Sequence, residues 1–178
     1  MSDKLNMVMT DIETLSTAPN AVIVTIASVK FSLTSDKVET FSINVNPRSS
    51  KELGLHIDID TLNWWKKQKP EVMQAWMHSQ VDLPSALDQF TEFCGNDKNT
   101  LHWCNGENFD FPILESSYRA TGRSVPWKHW NLRDARTMYW AGGLDTFNEP
   151  RVGLYHDALS DCHTQVAWLK KAMGVPSV

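Results

Sequence analysis

Apolar positions run together or alternate in short stretches early in the chain and recur at helical spacing later. Residues 5–11 form a mixed apolar run with Val8 and Met9 inside it, and read as a strand. Residues 21–33, rich in Val and Ile, read as a second strand. Residues 38–45 alternate Val38, Thr40 and Ser42 against Glu39, Phe41, Ile43 and Val45, and read as a third. Short polar turns between the three predict an antiparallel meander.

The spacing then changes. Residues 60–67 and 71–78 read as helices, the second opened by Pro70, and Leu83–Cys94 places Leu83, Leu87, Phe90 and Phe93 at helical intervals. Residues 100–104 read as a short strand. Residues 111–121 read as a helix opened by Pro112 and stopped by Gly122. Residues 131–139 read as a strand end running into a helix. Residues 158–173 form a last helix, with Val166, Leu169 and Met173 on one face and Gly174 and Pro176 after it. Strands first, then mixed helices and strands, predict an α/β or α+β domain with a mixed sheet. No repeat or linker-like segment divides the 178 residues, so residues 1–178 read as one domain.

Composition narrows the partners. A hydrophobic share of 42% belongs to a globular chain, and no apolar run is long enough to span a bilayer. With no signal-like apolar segment near the start, the expectation is a soluble, cytoplasmic protein without a membrane partner. Cys94, Cys104 and Cys162 include no CxxC pair and read as buried thiols rather than as a disulfide framework or a zinc site. The net charge of −4 argues against coating long duplexes but is neutral toward an enzyme that holds a few nucleotides and uses carboxylates for cations.

Three short segments carry candidate chemistry. In Asp11-Ile12-Glu13-Thr14, at a strand end, positions i and i+2 share a face, so Asp11 and Glu13 stand side by side while Ile12 turns to the core. Two carboxylates so close repel unless protonated or bridged by a cation. In Asn105-Gly106-Glu107-Asn108-Phe109-Asp110, a turn leads into a helix, and Asp110 serves equally well as a helix-start acid. In His156-Asp157-Ala158-Leu159-Ser160-Asp161, a loop histidine precedes a helix whose first turn holds Asp161. Each segment alone has an ordinary structural explanation. The set, in this order, is far more specific.

The segments DIET, NGENFD and HDALSD resemble the motifs of the DEDDh branch of the DnaQ-like 3′–5′ exonucleases. The Trp64-Trp65 pair and the segment NLRDART look most like the ribonuclease AS–like exoribonuclease group, itself related to phage exonuclease A. The resemblance implies an α/β ribonuclease H-like fold, with a mixed five-stranded sheet flanked by helices. It implies Asp11, Glu13, Asp110 and Asp161 as ligands of two Mg²⁺ or Mn²⁺ ions, with Asp11 bridging them, and His156 as a general base. It also implies a homodimer, single-stranded RNA or DNA 3′ ends as substrate with RNA favoured, and nucleoside 5′-monophosphates as product. The sequence LST after DIET departs from the glycine common in relatives, which puts the hold on the terminal base in question.

Substrate contacts are expected from Thr14, Leu15, Asn108, Phe109 and Trp65. Adjacent helical tryptophans do not share a face, so at most one of Trp64 and Trp65 packs inward and the other is free to stack on a base. Trp103, Trp127, Trp130 and Trp140 read as core or surface packing. Arg133 and Arg136, flanking Asp134, read as local ion pairs. A catalytically silent nucleic-acid-binding module on the same fold is the alternative, and the presence of all five candidate residues argues against it. A two-His facial iron site lacks the necessary spacing.

Overall fold

Alternation along the first strand decides how the site is built. The computed structural model describes residues 4–175; Pro176, read above as a helix stop, lies outside them. β1 (Met7–Thr14) sends Val8 and Ile12 into one core and Met7 and Met9 into another on the opposite face of the sheet. β2 (Ile23–Ser32) and β3 (Ser35–Asn44) complete an antiparallel meander, pairing Asp11 with Ala27 and Val29 with Thr40. β4 (Leu101–Cys104) lies parallel to β1, and β5 (Leu132–Asp134) parallel to β4, giving the order β3-β2-β1-β4-β5.

Seven helices flank this sheet among the described residues: α1 (Pro47–Glu52), α2 (Ile59–Trp65), α3 (Pro70–Met77), α4 (Leu83–Cys94), α5 (Asp110–Ala120), α6 (Ala135–Ala141) and α7 (Ala158–Ala172). α2 to α5 cover the Val8/Ile12 face with Trp65, Trp76, Phe90 and Leu114, while α6 and α7 cover the other with Tyr139, Val166 and Leu169. Each such side chain, fully buried, contributes about 1.5–3 kcal/mol. The architecture is that of a ribonuclease H-like fold. No helix is long and apolar enough to cross a membrane among the described residues.

α1 was not anticipated. Its sequence PRSSKE buries only Ser50, so it has no apolar stripe to reveal it. Arg133 and Arg136 make no ion pair with Asp134; Arg133 donates to the carbonyls of Trp130 and Leu132, and Asp134 instead caps α6 by accepting from Thr137 N at 2.9 Å. All three cysteines are buried and free. Trp103 and Trp127 are core residues, but Trp130 and Trp140 stand exposed.

Candidate functional site

Parallel pairing brings the carboxyl ends of β1 and β4 to one edge of the sheet, where open α/β sheets hold ligands. Asp11 and Glu13 leave β1 there, on the face covered by α7. The turn after β4 delivers Asp110 as the first residue of α5, where its Oδ1 accepts from Ile12 N at 3.3 Å. Asp157 caps α7 by accepting from Ser160 N, which sets Asp161 one turn in, on the helix face turned to the cleft. Asp11, Glu13, Asp110, His156 and Asp161 therefore line one cavity of ≈280 Å³.

The tightest constellation among the described residues is Glu13, His156 and Asp161, whose potential ligand atoms all lie within 4.8 Å of one another. Asp110 and Asp161 are buried and Asp11 and Glu13 half-buried. Loss of water, then the charge of Asp110, holds the Asp11 carboxyl well above its ordinary value. Glu13 is raised by loss of water and then by Asp11 and Asp161. Burial pushes Asp110 up to about 7, and raises Asp161 against the opposing charge of Arg151. His156 is lowered by burial.

The cluster is only partly neutralised from within. Gln165 Nε2 donates to Asp11 Oδ1 at 2.8 Å, and Arg151 pairs with Asp161. Arg151 is held between two rings, 4.3 Å from the centroid of Tyr155 and 5.2 Å from that of Trp168. Glu13 has no hydrogen bond or ion pair among the described residues. Four mutually repelling carboxylates beside a histidine ring, with only Asp161 paired to a cation among the described residues, fit hard divalent cations.

His156 reaches this cluster through an irregular loop. Its φ of +63° lies in the left-handed region that non-glycine residues seldom adopt. Its backbone N donates to Asp161 Oδ2 at 3.2 Å, and its ring meets Trp64 edge to face at 4.8 Å. Gly153 makes the loop possible: at φ +68° it lies so close to α7 that a Cβ would come within 2.8 Å of Ser160 Cβ.

A second, more apolar cavity of ≈440 Å³ adjoins the first and shares Ile12, Glu13 and Phe109 with it. Thr14, Trp64 and Trp65 line it as well. Of the tryptophan pair, Trp65 is the buried one, 2% exposed, with Nε1 donating to Thr14 O at 2.8 Å; Trp64 is 41% exposed and presents the open ring. Leu15 is buried in the core, pairing through its backbone with Val22 and Asp58, and lines neither cavity. Asn108 is exposed and also lines neither, whereas Asn105 lines the carboxylate cavity.

Gln165 and Arg151 were not singled out from the sequence as site residues, and of the tryptophan pair Trp65 rather than Trp64 was expected at the substrate. Gln165 was readable, because it stands four residues after Asp161 and so one turn along the same helix face. Arg151 lies in an irregular segment and carries no periodic signal.

The profile of the 3′-5′ exoribonuclease Rv2179c-like domain matches residues 6–173. The chain is also similar to an exodeoxyribonuclease of Enterobacteria phage T4, 28% identical over 207 aligned positions that cover 92% of this chain and 87% of the phage protein.

Proposed function

The chain belongs to the family of 3′-5′ exoribonuclease Rv2179c-like domains, and from that premise we propose that it releases nucleoside 5′-monophosphates from the 3′ ends of single-stranded nucleic acid, RNA before DNA. The observation that carries this reading is the convergence of Asp11, Asp110, Asp161 and an uncompensated Glu13 beside His156 at the carboxyl edge of β1 and β4. A histidine five residues before the last aspartate supports assignment to the DEDDh branch of the DnaQ-like exonucleases.

Asp11, Glu13, Asp110 and Asp161 would hold two Mg²⁺ or Mn²⁺ ions. Bound there, the cations supply neutralisation of the phosphate oxygens and of the departing 3′-oxygen. The rest falls to the chain's own side chains. A ring nitrogen of His156 takes a proton from the attacking water as its oxygen bonds to phosphorus, the P–O3′ bond breaks, and the departing 3′-oxygen takes up a proton from solvent to become the 3′-hydroxyl of the shortened strand. The burial that lowers His156 keeps its ring neutral, and so able to accept, at physiological pH. Asp161 fixes the loop by accepting from His156 N, and Gln165 orients Asp11. The apolar cavity beside Glu13 takes the terminal nucleoside, with Trp64 and Phe109 as ring contacts in place of the buried Trp65. Association as a homodimer belongs to the same reading.

RNA and DNA versions of one oligonucleotide, each with a free or a phosphate-blocked 3′ end, test the proposal when their products are separated by chromatography. Free 3′ ends should yield 5′-monophosphates, RNA faster, and blocked ends should resist. Internal fragments, or release from the 5′ end, would refute it. The similarity to a phage exodeoxyribonuclease makes DNA the second substrate to test, and the same assay ranks the two.

A further inference from the structure

Beyond the carboxylates the cleft does not end. A groove of ≈740 Å³ opens from the carboxylate cavity, sharing with it Asn105, Arg136, Arg151, Tyr155 and Trp168. It shares no residue with the apolar cavity beside Trp64. The three spaces thus lie in sequence, with the carboxylates in the middle. We infer that this groove carries the part of the strand on the 5′ side of the scissile phosphate, an inference that rests on the exonuclease reading above.

Its lining has the chemistry of a single-strand track, aromatic faces interleaved with a few cations. Trp140 is 83% exposed and Phe147 99% exposed, far more than rings that serve packing. Arg136 sits at the junction of groove and cleft, packed over Gly106 and with no hydrogen bond or ion pair among the described residues. The two acids of the groove are already committed: Asp145 accepts from Phe147 N and Asn148 Nδ2, and Glu149 is paired with Lys171. An unpaired arginine facing the phosphate-handling cleft suits a polyanion. The exposure of Trp140 and Phe147 makes the groove open-sided, so it suits several nucleotides, whereas the smaller apolar cavity suits one. In this arrangement Arg136 contacts a backbone phosphate while Trp140 and Phe147 stack on successive bases. Stacking on one aromatic is worth roughly a 5- to 150-fold change in affinity per base.

The test compares the native chain with Trp140→Ala/Phe147→Ala, whose exposed rings are dispensable for folding, as a circular-dichroism melt checks. Fluorescence anisotropy in EDTA reads binding of a 5′-labelled octanucleotide and of a labelled dinucleotide, independently of hydrolysis. The variant should lose at least about tenfold in octanucleotide affinity. It should also lower kcat/KM for the octanucleotide several-fold more than for the dinucleotide. Unchanged octanucleotide affinity, or equal losses on both lengths, would overturn the assignment. So would a variant that changes from dimer to monomer by light scattering while binding the octanucleotide as before, since the patch would then belong to a second copy. If no substrate is hydrolysed yet the variant still loses octanucleotide affinity, the groove stands and the exonuclease reading fails. Hydrolysis with unaltered binding is the reverse result.

Discussion

His156 is held by opposing forces that make its chemistry measurable. A left-handed backbone, the bond from its N to Asp161 and the edge of Trp64 fix the ring next to Glu13 and Asp161. Its burial favours the neutral form, so the acid limb of the pH–kcat profile should fall below the ordinary histidine value of about 6.5. Replacing His156 with Ala should lower kcat by ~10²–10⁴ and leave KM within a few-fold, the scale of a positioned acid–base group. Steady-state kinetics check both, and an unchanged kcat contradicts the role. Among single side chains, the sequence made the convergence of acids legible because strand and helix periodicity forces Asp11 with Glu13, and Asp161 after its cap, onto known faces. It did not reveal which of Trp64 and Trp65 is open, because that depends on the Thr14 carbonyl claiming the Trp65 indole. Nor did it place Leu15 or Asn108, which lie in irregular segments where no period applies.

Segments position these side chains, and the loop from Arg151 to His156 is the most demanding. Gly153 combines a positive φ with close contact against the first turn of α7. Gly153→Ala should cost about 1–3 kcal/mol in thermal or denaturant unfolding, the range for a strained backbone position, and should also lower kcat as His156 shifts. Adding Ser160→Gly removes the atom struck by the new Cβ and should restore part of the activity. No loss in the single variant would show that the loop is not pinned as described. Elements with a strong pattern, the three-strand meander, α4 and α7, were readable within a few residues. α1 was not, having no apolar face, and β5 is only three residues long, supported by its register with β4 rather than by its own composition.

Over the full chain, four raised carboxyls make the cation-free protein sensitive to pH. A group whose value is raised on folding stabilises the fold below its unfolded value and loses that contribution as pH climbs through the folded one. For Asp110 the window runs from its ordinary value near 4 up to about 7, and Asp11, Glu13 and Asp161 act in the same direction. The melting temperature in EDTA should therefore fall between pH 6.5 and pH 8, above the range in which His102 and His156, both lowered by burial, act in the opposite direction. Mn²⁺ or Mg²⁺ should raise it more at pH 8, by up to about 2.7 kcal/mol of stability at a hundred times Kd. Equal melting temperatures at both pH values, with no response to cation, would remove the electrostatic basis of the site. The ribonuclease H-like architecture was legible from motif order, while the groove beyond the carboxylates was not, because α6, the segment after it and α7 meet there only in three dimensions.

The decisive measurement is digestion of a 5′-labelled single-stranded oligoribonucleotide by the native chain and by Asp110→Asn, each in Mg²⁺ and in EDTA. The expected result is a ladder shortening one nucleotide at a time in Mg²⁺, and none in EDTA or with the variant, whose circular dichroism is unchanged. A ladder that persists in EDTA or in Asp110→Asn, or an intact strand bound tightly without any cation, would contradict the cation-dependent exonuclease and favour a silent binding module.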